Sequence, residues 1–423
     1  MINYYPFDTS SITTGSTFKI SAPGKVILNG EHSVVYGKLA IAASIDLRTT
    51  FEITEINIPD VLIIQCRTLK FVYKYNLMDI ENFLLNVPLP LLMDDKDYNL
   101  EYPQYLDHDN LLNRVDKFLK RFHQIDLIEN HLVSLKSIFY LLTGIIGTTD
   151  LHLTPIFMDC STDLNTGSGL GSSASFAVAT AASLVHYVKS KSSNLSKSRY
   201  KTSEWDFDLT GFTDRELSFI CRWGFSVEKI IHGTPSGLDN TICTYGAVVE
   251  YRKGASPIKV KMHRALNLLL INSNVPRETK RLVMKVGERR KRFPLILDHI
   301  LDAMDAVSKT VLEKMEQLCT LTSLDDAMDV YNDLADIWFM NQSLLDAIGV
   351  GHKELTKIIQ ILSNYNLSAK LTGAGGGGYA ICLIPPKFDS DMLKKAVAEL
   401  ETHGFDVINT NFGVEGVRLD KKI

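Results

Sequence analysis

Residues 167–175 read Gly-Ser-Gly-Leu-Gly-Ser-Ser-Ala-Ser and lead straight into an Ala-rich stretch. Alternating glycines leave backbone N–H groups free of Cβ interference, so they can close on a ligand. A helix starting directly behind them adds partial positive charge at the same point. Together these make a cradle for phosphate. Gly167, Ser168, Gly169, Leu170 and Gly171 would wrap it, and Ser172 and Ser173 in the first helical turn could donate to phosphate or hold a hydrated cation. The G-x-G-x-G spacing is neither the G-x-x-x-x-G-K-[ST] loop nor the G-x-G-x-x-G dinucleotide pattern. The H-R-D and D-F-G signatures of protein kinases are missing from the chain.

Other stretches bring reactive side chains. Residues 21–32 read Ser-Ala-Pro-Gly-Lys-Val-Ile-Leu-Asn-Gly-Glu-His. Pro23 and Gly24 shape a turn from which Lys25 enters an apolar strand, and Glu31 and His32 follow Gly30. Taken alone, Lys25 could be a solvated strand end, and Glu31-His32 a plain turn. Glu228 falls eleven residues after Leu217, about three helical turns, on a stripe with Ile220, Val227 and Ile231. A carboxylate on an apolar face needs a cation or strong donors, and a divalent metal would serve. Asp239 follows Pro235-Ser236-Gly237 and could face a cleft or cap an Asx turn. Residues 371–379, Leu-Thr-Gly-Ala-Gly-Gly-Gly-Gly-Tyr, set consecutive glycines between two β-like stretches, as a backbone does when it must closely approach another segment or a ligand.

The elements that must hold these residues are partly readable. Residues 18–51 read as strand, turn, strand, and 52–110 as short strands and loops. Apolar spacing predicts helices over 111–146 and 217–231, and the Ala-rich segment 172–188 reads as the helix that the first glycine run feeds. Residues 189–203, rich in Ser, Lys and Thr, read as an exposed, mobile insertion. Residues 241–249 read as a strand, as do 266–271. A helical half follows over 278–362, then strand 367–372, the glycine run, strand 379–384, helix 391–402 and a last strand near Val417. The basic run 285–292 contains Glu288 and reads as a solvated helix face.

The chain has 423 residues, enough for two closely packed domains, with a division expected at 1–262 and 263–423. With 45% hydrophobic and 22% charged residues it can bury a large core without disulfides or a structural metal. A net charge of -4 argues against nucleic acid as a partner. Cys66, Cys160, Cys221, Cys243, Cys319 and Cys382 show no C-x-x-C spacing and read as core thiols of a cytoplasmic protein. No apolar run is long enough for a membrane span, and the first residues do not resemble a signal peptide.

Taken jointly and in order, residues 21–37, 167–175 and 371–379, with 228–240 between them, resemble the GHMP small-molecule kinases. That family is named for galactokinase, homoserine kinase, mevalonate kinase and phosphomevalonate kinase. The form of residues 21–38 and 231–240, with 275–279 and 349–352, is similar to the mevalonate-phosphorylating branch. The resemblance implies an α+β fold, with a ribosomal S5 domain 2-like N-terminal domain, a ferredoxin-like C-terminal domain and the active site between them. It implies ATP as phosphate donor, mevalonate as acceptor at its C5 hydroxyl, and Mg2+. Lys25, Thr162 and residues 167–173 would bind nucleotide, and Ser173 and Glu228 would hold magnesium. Asp239 would be the base, with Lys25 beside the reacting hydroxyl. Glu31, His32, Asp239, Arg277 and Thr279 would lie on the acceptor side. A homodimer and inhibition by prenyl diphosphates are implied in the same way. The alternatives are another member, such as a sugar or phosphomevalonate kinase, or a silent ligand-binding relative. The latter would be expected to lack one of Lys25, Ser173, Glu228 or Asp239, and all are present. The chain departs from the family pattern at Asn165-Thr166, where proline is usual, and at Ser168 and Ser175, where alanine is usual. These departures could loosen the loop.

Overall fold

The computed structural model describes residues 13–92, 103–123, 127–149, 151–165, 167–191, 209–233, 235–260, 262, 266–321 and 323–422. The chain begins with a long antiparallel pair, β1 (Thr13–Asn29) and β2 (Ala40–Ile56), joined through a short 3-10 turn at Ser33–Tyr36. The hairpin β3 (Val61–Cys66) and β4 (Phe71–Asn76) follows, with a single turn of helix, α1 (Leu77–Ile80). Two helices, α2 (His108–Phe122) and α3 (Glu129–Ile146), lead to β5 (Ile156–Thr162), which lies parallel to β3 and antiparallel to β2. Then come α4 (Ser172–Lys191), α5 (Asp214–His232) and α6 (Leu238–Tyr245), and the pair β6 (Val248–Tyr251) and β7 (Ile258–Val260).

The second half opens with β8 (Leu266–Asn272). It continues through α7 (Thr279–Arg292), α8 (Pro294–Thr320), α9 (Leu324–Ala347) and α10 (Lys353–Ser363), and ends with β9 (Ala369–Leu371), β10 (Tyr379–Leu383), α11 (Ser390–Thr402), β11 (Asp406–Phe412) and β12 (Arg418–Lys422). All described strands belong to one mixed sheet, whose main path runs β4-β3-β5-β2-β11-β8-β10-β9. β11 therefore joins strands on either side of the expected division at residue 262, and β12 pairs with β1. Arg48 holds the returning chain: its guanidinium donates to Ser21 Oγ and to the carbonyl oxygens of Ser21 and Gly416.

Helices cover the sheet around three large cores. One sets Phe51 and Ile64 of the sheet against Phe139, Val178 and Trp223 of α3, α4 and α5. A second sets Leu28, Ile45 and Leu268 against Met315, Tyr331 and Trp338 of α8 and α9. A third sets Leu269, Ile271 and Cys382 against Val286, Leu301 and Leu355 of α7, α8 and α10. Each such fully buried side chain contributes about 1.5–3 kcal/mol. The architecture is α+β, as the sequence reading has it.

Three local expectations are corrected. Residues 241–249 are not one strand: α6 runs to Tyr245 and only Val248 begins β6. The β-branched content of that segment favours a strand, but Gly237 in the left-handed region starts a helix. The Thr241 and Thr244 hydroxyls then bond back to Gly237 O and Asn240 O, as helical threonines do. Lys189 does not open an exposed insertion: it is 2% exposed and ion-paired with Glu216, while 192–203 lie outside the described residues. β11, absent from the sequence reading, carries Asn409, Thr410 and Asn411 in mid-strand and lacks the apolar run that marks its neighbour β8.

Candidate active site

β1 carries the first motif, and the other motifs fasten to it. The register with β2 shifts between Pro23 and Gly24, leaving Asp46 and Leu47 of β2 unpaired just before Lys25. The Lys25 N–H donates to Leu170 O at 2.8 Å, tying the strand to the first glycine loop. Ser175 Oγ donates to Ala22 O at 2.7 Å and accepts from Thr49 N. From the other side, Thr372 Oγ1 donates to Ile27 O at 2.7 Å, and His32 Nε2 donates to Ala374 O at 2.8 Å. Segments far apart in sequence thus share one strand as their frame.

Three of the residues that depart from the family pattern make hydrogen bonds of their own. Ser175 makes the bonds just described. Ser168 Oγ donates to Asn165 O, and Asn165 Nδ2 donates to the hydroxyl of Tyr379, the residue that ends the second glycine run. Thr166 lies outside the described residues.

Between the motifs lies a cavity of about 740 Å³. At its centre Lys25 Nζ sits 3.0 Å from Asp239 Oδ1; the lysine is nearly buried and the aspartate about one-third exposed. Asp239 stands in the first turn of α6, behind the Gly237 turn. Glu228 reaches the same cavity from the last turns of α5, a helix started by a capping box at Thr213 and Glu216. Ser173, in the first turn of α4, lies beside Glu228 and opposes the rise of its pKa, and its Oγ lies 3.1 Å from His232 Nε2. Burial, and then the charge of Asp239, push the Glu228 carboxyl up to about 7. Glu228 Oε1 is buried without a hydrogen-bond partner. Such an orphaned carboxylate oxygen beside a hydroxyl fits a hard divalent cation. Among the described residues no cluster of three or more His, Cys, Asp or Glu forms a metal cage. Magnesium needs none, because one or two carboxylates, substrate phosphates and waters complete its shell.

Arg277, which follows Pro276 ahead of α7, wedges between the two glycine runs. A Cβ at Gly169, whose φ is +71°, would fall 1.0 Å from Arg277 Nη2, and one at Gly373 would fall 2.5 Å from Nη1. Burial pulls the Arg277 guanidinium below its ordinary pKa, opposed by Asp239. Thr279, the first residue of α7, also lines the cavity.

Glu31 and His32 border the cavity but are held by the protein itself. Glu31 is fully buried, ion-paired with Lys370 and within 3.4 Å of the Asn341 amide. Burial raises the Glu31 carboxyl and lowers the Lys370 ammonium. His32, 5% exposed, is pushed down by burial. Thr162 lines the cavity at the end of β5, where its Oγ1 is shared with Thr49 Oγ1 and Leu164 N.

The cavity also has an end that the motif reading missed. Thr68 and Leu69, Asn130, Val133 and Ser134, and Phe176 line it. The only signal for them lay in α3, where Asn130, Val133, Ser134 and Ser137 recur at helical spacing along one edge of a mostly apolar helix. The basic stretch 285–292 is the mostly solvated last turns of α7, with Arg289 donating to Ile348 O and Arg290 to Asp298.

Known proteins share both the sequence and this arrangement. The family model "GHMP kinases C terminal" matches residues 322–401. The mevalonate kinase of Mus musculus is 32% identical over 407 residues, covering 94% of each chain. The crystal structure of the Methanococcus jannaschii mevalonate kinase superposes with a TM-score of 0.64 at 23% identity, covering 94% of this chain and 98% of that one. That of the L. major mevalonate kinase in complex with R-mevalonate gives 0.60 at 23% identity, covering 96% and 98%.

Proposed function

The chain belongs to the mevalonate kinase family, and from that premise we infer that it transfers the terminal phosphate of ATP to the C5 hydroxyl of (R)-mevalonate, giving 5-phosphomevalonate and ADP. The observation that carries the reading is the Lys25–Asp239 pair in the cavity between the two glycine runs. One run opens a helix and suits phosphate. The other borders the acceptor end.

In the proposed mechanism, residues 167–173 bind the ATP phosphates through backbone N–H groups and the N-terminus of α4. The nucleoside occupies the end lined by Thr68, Leu69, Asn130 and Ser134. Asp239 accepts the proton of the acceptor hydroxyl as the bond to phosphorus forms. Lys25, 3.0 Å away, favours the negative charge that develops on that oxygen. Arg277, touching both glycine runs, is placed to bind phosphate oxygens and keep the runs in register. Ser173 and Glu228 would hold magnesium, which when bound neutralises phosphate charge. Glu31 and His32 act on the acceptor side by shaping its wall, because their polar atoms are bonded to Lys370, Asn341 and Ala374.

The division into domains 1–262 and 263–423, a homodimer, inhibition by prenyl diphosphates at the nucleotide site and a cytoplasmic location are part of this proposal by family resemblance. Among the described residues no helix is long and apolar enough to cross a membrane. The deciding experiment is a coupled ADP-release assay with mevalonate, galactose, homoserine and phosphomevalonate as acceptors. Mevalonate should give the highest kcat/KM. A higher value for any other acceptor overturns the assignment.

A further inference from the structure

Two of the six cysteines are neighbours across the sheet. Cys66 ends β3, and Cys160 is its registered partner on the parallel strand β5. As registered partners their side chains leave the same face of the sheet. They are 4% and 1% exposed, yet both line the active-site cavity, at the end where Thr68 and Leu69 follow Cys66 and Thr162 follows Cys160. Neither belongs to any motif, and neither takes part in the proposed transfer. We propose that Cys66 and Cys160 form a dithiol that small disulfide oxidants convert to an intramolecular disulfide, weakening nucleotide binding.

The geometry is compatible with the bond. Paired strands lie about 4.8 Å apart, inside the roughly 4.4–6.8 Å range of Cα separations that a disulfide spans. Cys66 is the more exposed of the two, and proximity to Cys160 lowers its pKa, whereas burial raises that of Cys160. Cys66 is thus the first nucleophile. Its thiolate attacks one sulfur of the oxidant and expels a thiolate. Cys160 then loses its proton and attacks the Cys66 sulfur of the mixed disulfide, expelling the second thiolate. Two protein thiols give up two electrons and two protons, and the oxidant is reduced to two thiols.

The consequence for the site follows from the spacing. Closure brings the two sulfurs to about 2.05 Å, well inside the contact distance of separate thiols, so both side chains and the ends of β3 and β5 that carry them must readjust at this end of the cavity. The neighbouring Thr68 and Thr162 are linked, Thr162 N donating to Thr68 Oγ1 at 3.2 Å, and must move with it.

This inference rests on the reading that this end of the cavity takes nucleotide, and the test separates the two. The full chain is incubated with glutathione disulfide, with and without ATP, then digested without reduction for mass spectrometry. ATP and mevalonate KM values are measured before oxidation, after it, and after dithiothreitol. The expected result is a linked Cys66–Cys160 peptide and a KM for ATP raised about tenfold, a change of about 1.4 kcal/mol. The KM for mevalonate should be little changed, dithiothreitol should reverse the effect, and ATP should slow the linkage. Cys66→Ser and Cys160→Ser, each compared with its own starting activity, should lose this response. If either variant fails to fold, the linked peptide and its reversal in the unmodified chain decide. Absence of that peptide, or its formation without change in the ATP KM, overturns the proposal. If the reduced protein does not use ATP at all, the functional reading fails instead. If it is active and ATP binds without slowing the linkage, the position assigned to the dithiol is wrong.

Discussion

Changing Lys370 to Met keeps most of the side-chain stem and deletes the charge opposite Glu31. Both side chains are completely buried, and burial already raises the Glu31 carboxyl and lowers the Lys370 ammonium. Removing one partner of a buried pair costs about 3–5 kcal/mol. The remaining donor to Glu31, Asn341 Nδ2 at 3.4 Å, is neutral and long and would return no more than about 1 kcal/mol. The loss carries a pH signature. In the variant, the folded-state pKa of Glu31 rises further above its ordinary 4.5, because the lowering effect of Lys370 is gone. Between that ordinary value and the folded one, the folded protein holds a proton that the unfolded chain has released. Stability from such a raised carboxyl is present below the unfolded pKa and lost as pH climbs through the folded one. The deficit of Lys370→Met relative to the parent should therefore be smallest at acid pH, near the ordinary carboxyl value of 4.5, and grow as pH rises above it. Glu31→Gln added to Lys370→Met removes the stranded charge and should recover most of the loss. Urea unfolding of parent, single and double variants across that pH range, followed by tryptophan fluorescence, reads all of this; Trp338 lies 5.8 Å from Lys370 Nζ. A deficit independent of pH, or a double variant no more stable than Lys370→Met, would refute the reasoning.

Asp239→Asn should lower kcat by roughly 10²–10⁴, the range for a positioned general base, with little change in the KM for ATP. Lys25→Met should also lower kcat, and the double variant should lose less than the product of the two factors; steady-state kinetics showing full additivity would mean that the residues act separately. Glu228→Gln and Ser173→Ala should raise the magnesium concentration for half-maximal rate, and unchanged magnesium titrations in both would remove them from the metal site. Gly169→Ala places a side chain at φ +71° and into the Arg277 guanidinium, so the KM for ATP should rise markedly while the urea midpoint falls by no more than about 1–2 kcal/mol equivalent. An unaltered ATP KM would show that Arg277 can move aside freely.

What the sequence made legible were the places where the backbone itself does the work. The runs at 167–175 and 371–379 stand out because glycine is required where chains touch, and Arg277 occupies the space a Cβ would need at Gly169 and Gly373. Periodicity found α5 because it buries one apolar face, whereas α4, buried nearly all round, was found from its alanines behind the glycine run. It failed at α6, where β-branched residues form a helix between two glycines, and at β11, where a polar strand is held in the sheet by its neighbours on both sides. In both cases a tertiary constraint overrode local propensity.

The site residues divide along the same line. Glu228 was legible as a carboxylate on an apolar face, and Ser173 as a first-turn serine behind the glycine loop; Lys25 and Asp239, which alone could be a strand end and a turn cap, gained their roles only from the joint resemblance of the motifs. The end of the cavity proposed for the nucleoside was not legible, because Thr68, Leu69 and Ser134 are ordinary residues that come together only in the folded chain. Glu31 shows a third case. Its motif is plain in sequence, but its partner Lys370 lies across the fold in β9, and no local pattern joins them. With Lys370 in place, the Glu31 charge is satisfied within the protein, so the first motif contributes to the acceptor side chiefly by fixing the residue 31–32 turn against the second glycine run. That assigns Glu31 a positioning duty, and it explains why a carboxylate is buried beside the cavity without being available to the ligand.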